Sequence, residues 1–130
     1  MTATAAVADT SVFIAQESGR SLDTTALPQR LVVSAITIGE LRAGVLGAPD
    51  TASRERRLRT LLAALQAGPA PIDGEVAAAW AHLRVALREA GRRMPVNDSW
   101  IAATALALDL PVVTQDDDYD GVPGLTVIRV

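Results

Sequence analysis

Hydrophobic and polar positions follow two different periods along this chain. Short, continuously apolar runs at residues 5–8, 31–35, 111–114 and 125–128 are bounded by turn residues and predict buried strands. Between them the apolar positions recur at helical spacing, which predicts helices over 11–17, 37–46, 51–66 and 98–108. A further helix runs from an Asp73 cap to about residue 90, with Val76, Ala79, Trp80, Leu83 and Leu87 on one face and Gly91 at its end. Strands that are apolar throughout and alternate with helices imply an α/β fold, a parallel central sheet sandwiched by helices in the doubly wound manner. No internal repeat, low-complexity stretch or linker interrupts residues 1–130, so one domain is expected.

Composition narrows the chemistry. Of the 130 residues 49% are hydrophobic and only 3% aromatic, so the core must be built from Ala, Val, Leu and Ile. The chain has no cysteine, which removes disulfides, thiolate metal sites and cysteine nucleophiles together and agrees with a reducing compartment. The first residues lack the basic flank and apolar run of a signal peptide, and no apolar stretch reaches membrane-spanning length. A cytoplasmic protein without membrane contact is the expectation. The net charge of −3 offers no global attraction to nucleic acid, so any such contact must be local. The basic residues, all arginine, concentrate at 54–59 and 84–93.

The carboxylates carry the most information. Asp9 follows the first strand and Asp116 follows the third, at the carboxyl edge where open α/β sheets bind their ligands. Glu40 falls in the helix after the second strand, and Asp98 opens the helix that feeds the third, so all four can converge on that edge. A donor set of oxygens without His or Cys favours hard cations such as Mg²⁺ or Mn²⁺, and phosphodiester hydrolysis is the reaction such a site suits. Each acid also has a plainer explanation. Thr37-Ile38-Gly39-Glu40 has the form of a capping box, Asp98 the place of an N-cap or first-turn acid, and Asp9 that of a helix cap. The run 116–121 opens like a calcium-binding loop, but Val127 stands where that loop needs a bidentate Glu. His82, between Ala81 and Leu83 on a helix, reads as structural.

The ordered set Asp9-Thr10-Ser11, Gly39-Glu40-Leu41, Asn97-Asp98 with Ile101 to Ala105, and Thr114-Gln115-Asp116-Asp117-Asp118-Tyr119 resembles the PIN domain, and within it the VapC toxins of bacterial toxin–antitoxin pairs. The resemblance covers essentially the whole chain. It implies a Mg²⁺- or Mn²⁺-dependent endoribonuclease cutting a structured RNA such as tRNA or rRNA, a VapB-like antitoxin and a homodimer. It also implies Asp9, Glu40 and Asp98 as core acids that bind metal, with Asp116 as the fourth acid and Asp118 a possible additional one. Thr10, Ser11 and Thr114 would support the carboxylates or the phosphate. Tyr119 stands where Phe is more usual. Arg92 and Arg93, in the loop leading to Asp98, are the candidate RNA contacts, whereas the 54–59 cluster reads as a solvated helix face. The leucine stripe of residues 51–66 is either core or a groove for a partner helix.

Two other functions fit a doubly wound sheet with acids at its edge. A receiver-like signalling domain would need a lysine, and the chain has none. A PIN-like protein-binding module that has lost its chemistry is the other, and the filling of all four acidic positions speaks against it.

Overall fold

The computed structural model describes residues 4–130. In chain order the elements are β1 (Ala5–Ala8), α1 (Thr10–Ser18), β2 (Arg30–Val32), α2 (Ala35–Leu46), α3 (Thr51–Leu65), α4 (Gly74–Glu89), α5 (Val96–Leu108), β3 (Val112–Thr114) and β4 (Val127–Arg129). The four strands form one parallel sheet in the order β2-β1-β3-β4, with Val7 opposite both Val32 and Val112, and Val112 opposite Val127. The α/β sandwich expected from the alternating periods is the one observed.

Period-two alternation sends neighbouring residues of one strand to opposite faces. Ala6 and Val113 pack with Val12 of α1, while Val7 and Val112 pack with Leu83 and Leu87 of α4 and Ile101, Ala102 and Ala105 of α5. Small side chains on α5 bring the helix close to the sheet, which is how a core with few aromatics closes. The edge strands β2 and β4 each carry an exposed arginine, Arg30 and Arg129, a charge that discourages edge-to-edge pairing. A separate cluster of Val33, Leu41, Leu61 and Ala64 joins α2 to α3. The leucine stripe of α3 is therefore divided, since Leu61 is core whereas Leu58 and Leu62 are 41% and 52% exposed.

The largest departure from the expected boundaries concerns the second strand and its helix. The strand stops at Val32 rather than residue 35, and α2 starts two residues before the expected Thr37, because Ser34 Oγ accepts from Ile36 N at 3.1 Å and caps it. Val33 and Ala35 instead bond to the backbone of Ala70, extending the sheet edge by one bridge. Asp73 does cap α4, accepting from Val76 N at 3.0 Å, and Gly91 follows its end with φ +65°. β4 lies two residues later than expected because Leu125 N is turned back onto Val122 O. His82, read as structural, is exposed on α4.

The sheet order places the topological switch between β1 and β3: from β1 the chain steps outward to β2 on one side, then returns to β3 on the other. That is where such sheets open a crevice at their carboxyl ends.

Candidate active site

Asp9 is the fixed point of this crevice. It is 2% exposed. Although it occupies the N-cap position of α1, its side chain makes no cap bond. Its two oxygens are held instead by hydroxyls distant in sequence: Thr114 donates to Oδ2 and the Tyr119 phenol to Oδ1, each at 2.9 Å. Thr114 also lies 3.3 Å from Ser11 Oγ and accepts from Asp116 N at 3.0 Å, while Ser11 accepts from Gln115 N at 3.1 Å. Ser11 and Thr114 thereby join the start of α1 to the loop after β3. Neutral hydroxyls satisfy the buried carboxylate without cancelling its charge, which suits a group kept for an external cation.

Glu40 enters from α2. Because Ser34 caps that helix, Thr37 and Glu40 lie within it and the capping-box reading is overturned. Glu40 Oε1 accepts from Thr10 Oγ1 at 2.8 Å, and the same hydroxyl lies 3.0 Å from the fully buried Thr37. Asp98 lies in the first turn of α5, whose N-cap is Pro95, with no side-chain cap bond. So none of the three core candidates spends its side chain on capping a helix.

Charge is concentrated here. Burial pushes the Asp98 carboxyl up to about 7, aided by the negative charge of Asp9, a carboxyl–carboxyl hydrogen bond with Asp118, and the charges of Asp118 and Glu40. Asp116 is raised for the same reasons, burial first and then Asp9 and Asp118, with Arg20 opposing. Desolvation followed by the charge of Asp9 raises the Tyr119 phenol, so it stays a proton donor to that carboxylate. Asp98 thus feels Asp9, Asp118 and Glu40, and Asp116 feels Asp9 and Asp118, all near enough to raise those two carboxyls.

An all-oxygen donor set in which neighbouring carboxylates raise Asp98 and Asp116 fits a hard divalent cation, which would relieve the repulsion. Among the described residues no three such side chains are already gathered around one point. Asp9 is locked, whereas Asp116, Asp117 and Asp118 stand exposed in their loop.

Arg92 has a role the sequence did not suggest. Its guanidinium donates to the Asp118 carbonyl at 3.0 Å and fastens the acidic loop. Gly121 makes room for it: the φ there is +72°, and a Cβ would stand 2.8 Å from Arg92 Nη1. Arg93 is exposed. Thr37 was read only as a cap, and Tyr119 only as a departure from a more usual Phe. The one tyrosine of a chain poor in aromatics, set in an acidic run, was the available signal for the second.

The sequence matches the PIN domain over residues 6–125. It is 48% identical to Ribonuclease VapC5 of Mycobacterium tuberculosis, covering 99% of this chain and 98% of that protein, and 46% identical to Ribonuclease VapC4 of the same organism, covering 96% of each. The fold is similar to a crystal structure of a member of the VapBC family of toxin–antitoxin systems, VapBC-5, from Mycobacterium tuberculosis. That match has a TM-score of 0.89 and 46% identity, and covers 98% of this chain and 100% of the other.

Proposed function

The chain belongs to the PIN-domain family, and from that premise we propose that it is a divalent-metal-dependent endoribonuclease, the toxin of a toxin–antitoxin pair with a VapB-like antitoxin as partner. What supports this reading is that Asp9 and Glu40 lie near enough to Asp98 to raise its carboxyl, as Asp118 of the acidic loop also does, with none of the three core acids occupied as a helix cap. The names of the two relatives supply the substrate class, RNA, and the toxin–antitoxin structure supplies the kind of partner. A structured RNA such as tRNA or rRNA, a homodimeric state and a cytoplasmic setting follow from the same resemblance. No helix among the described residues is long and apolar enough to cross a membrane.

Asp9, Glu40, Asp98 and Asp116 would hold Mg²⁺ or Mn²⁺, with Asp118 as the additional acid. Bound there, the ion supplies charge compensation for the phosphodiester and a water of lowered pKa. The chain's own residues do the rest. Thr114 and Tyr119 aim the Asp9 carboxylate by holding both its oxygens, and Thr10 aims Glu40. Ser11 ties α1 to the loop that carries Asp116. Orienting bonds of this kind tune a ligand's position and basicity.

The test is cleavage of a labelled structured RNA with Mn²⁺ present, by the wild type beside Asp9→Asn, with analysis of the new ends. Attack by water predicts 5′-phosphate ends from the wild type and none from the variant. Ends bearing 2′,3′-cyclic phosphate, or equal cleavage by both proteins, would contradict the reading.

A further inference from the structure

Behind the acidic edge, between α4, α5 and the loop joining them, lies a cavity of about 530 Å³. Four arginines line it, Arg84, Arg88, Arg92 and Arg93. Among the described residues the one ion pair is Arg129 with Asp120, so none of the four is neutralised by a carboxylate within 4.0 Å. Unpaired guanidiniums gathered around one hollow call for an anion, and their planar forks match phosphate oxygens two at a time.

Two of the four are preset. Arg84 lies over the Trp80 ring at 5.1 Å from its centroid, and Trp80 is stacked on Trp100 with centroids 4.3 Å apart and planes 2° from parallel. Trp80 Nε1 also donates to Ser99 Oγ at 3.0 Å. This stack sets the Arg84 guanidinium over the Trp80 ring and ties α4 to the first turn of α5. Arg92 is held by its bond to the Asp118 carbonyl.

Two residues lining the cavity lead toward the acids. Ser99, in its wall, directly follows Asp98, and Arg92 joins that wall to the backbone of Asp118. We propose that this cavity is a phosphate subsite for RNA, holding the backbone of the substrate beside the nucleotide that lies at Asp98. The inference rests on the nuclease reading above and adds where the chain of phosphates runs. An acidic peptide is the competing occupant. It would need an apolar anchor as well as charge, and the apolar lining here, Leu87 and Met94, is already buried or half-buried. Nucleic acid is held through its phosphates and needs no such anchor.

The probe is a fluorescein-labelled short mixed-sequence RNA, followed by anisotropy over a series of salt concentrations with EDTA present so that the RNA stays intact. The variants are Arg88→Gln/Arg93→Gln, both exposed and without structural bonds, and, as a control of equal charge, Arg54→Gln/Arg59→Gln on α3. Removing one arginine–phosphate pairing makes the slope of log affinity against log salt shallower by about 0.7 for a single strand, so the slope should change by about 1.4 for the cavity pair and stay as it is for the α3 pair. Equal changes in the two pairs overturn the proposal, as does a wild type with no RNA affinity. So does polyglutamate binding that depends on the cavity pair while RNA binding does not, which assigns the cavity to a protein partner. Mn²⁺ binding by both pairs should match the wild type. Failure of the cavity with loss of cleavage in Asp9→Asn leaves the nuclease reading intact, whereas RNA binding through the cavity with full cleavage by Asp9→Asn overturns the acid assignment instead.

Discussion

Asp9 is buried with both oxygens held by hydroxyls from residues 105 and 110 positions away, whereas Asp116, Asp117 and Asp118 stand exposed in a loop held by its backbone, through Thr114 and Arg92. Both regions bring carboxylates to one edge, by opposite means. At Asp9 the side chain itself is fixed. In the loop the peptide is fixed and the side chains keep their freedom. In the proposed metal site Asp9 would be the rigid ligand that defines where a cation sits, and the loop acids would adjust to it. The difference predicts that substitutions around Asp9 act through geometry and those in the loop through charge.

The sharpest way to break the contrast is Tyr119→Phe, which removes one bond to Asp9 and keeps the ring in its fully buried place. Loss of an orienting partner of this kind weakens metal binding by about 10–100-fold. Thermal melting checks whether the fold survives, and Thr114→Ser, which keeps the hydroxyl, should retain Mn²⁺ affinity where Thr114→Val does not. A Tyr119→Phe protein with wild-type Mn²⁺ affinity would show that Asp9 needs no fixing.

Within the loop the expected effects are smaller and depend on position. Asp116→Asn should weaken Mn²⁺ binding more than Asp117→Asn, because Asp116 feels Asp9 and Asp118 while Asp117 is its weakest acidic neighbour. Calorimetric titration of both variants decides the order, and the reverse order would move the fourth acid within the loop.

What the sequence made legible was placement. Apolar runs ended at Asp9 and just before Asp116, and the rule that parallel sheets bind at their carboxyl edge put the two together. The occupation of each side chain was not legible. Thr37 and Glu40 have capping-box spacing, and only the Ser34 bond to Ile36 N shows that the helix starts earlier and leaves Glu40 to Thr10. The bonds of Tyr119 and Thr114 to Asp9 span more than a hundred residues, a separation no local pattern encodes. The tie of Arg92 to the Asp118 backbone was not legible either, because a bond to a backbone carbonyl leaves no mark on composition.

Proton uptake separates the regions again. The Asp98 carboxyl, ordinarily near 3.8, is pushed up to about 7 in the fold, so between these values the folded chain holds a proton that the unfolded chain has released. Metal-free stability should therefore fall as pH rises from about 4 to about 7 and level off above it. Asp98→Asn should flatten that decline in melting temperature measured in EDTA, leaving only the weaker slope that Asp116 adds in the same direction. A wild-type curve that rises through this window would contradict the crowding of acids.

The smallest effect is expected at Gly121→Ala, which places a Cβ at positive φ against Arg92. About 1 kcal/mol or more of stability should be lost, seen in chemical denaturation. Arg92→Gln should reduce that cost, since the crowding guanidinium is gone.

The most direct measurement is Mn²⁺ titration by calorimetry of the wild type, Asp9→Asn and Asp98→Asn, each confirmed folded by circular dichroism. The wild type should bind, and both variants, folded, should not. Binding by Asp9→Asn equal to that of the wild type would contradict the proposed metal site, because the carboxylate most firmly held at the sheet edge would then have no part in holding the ion.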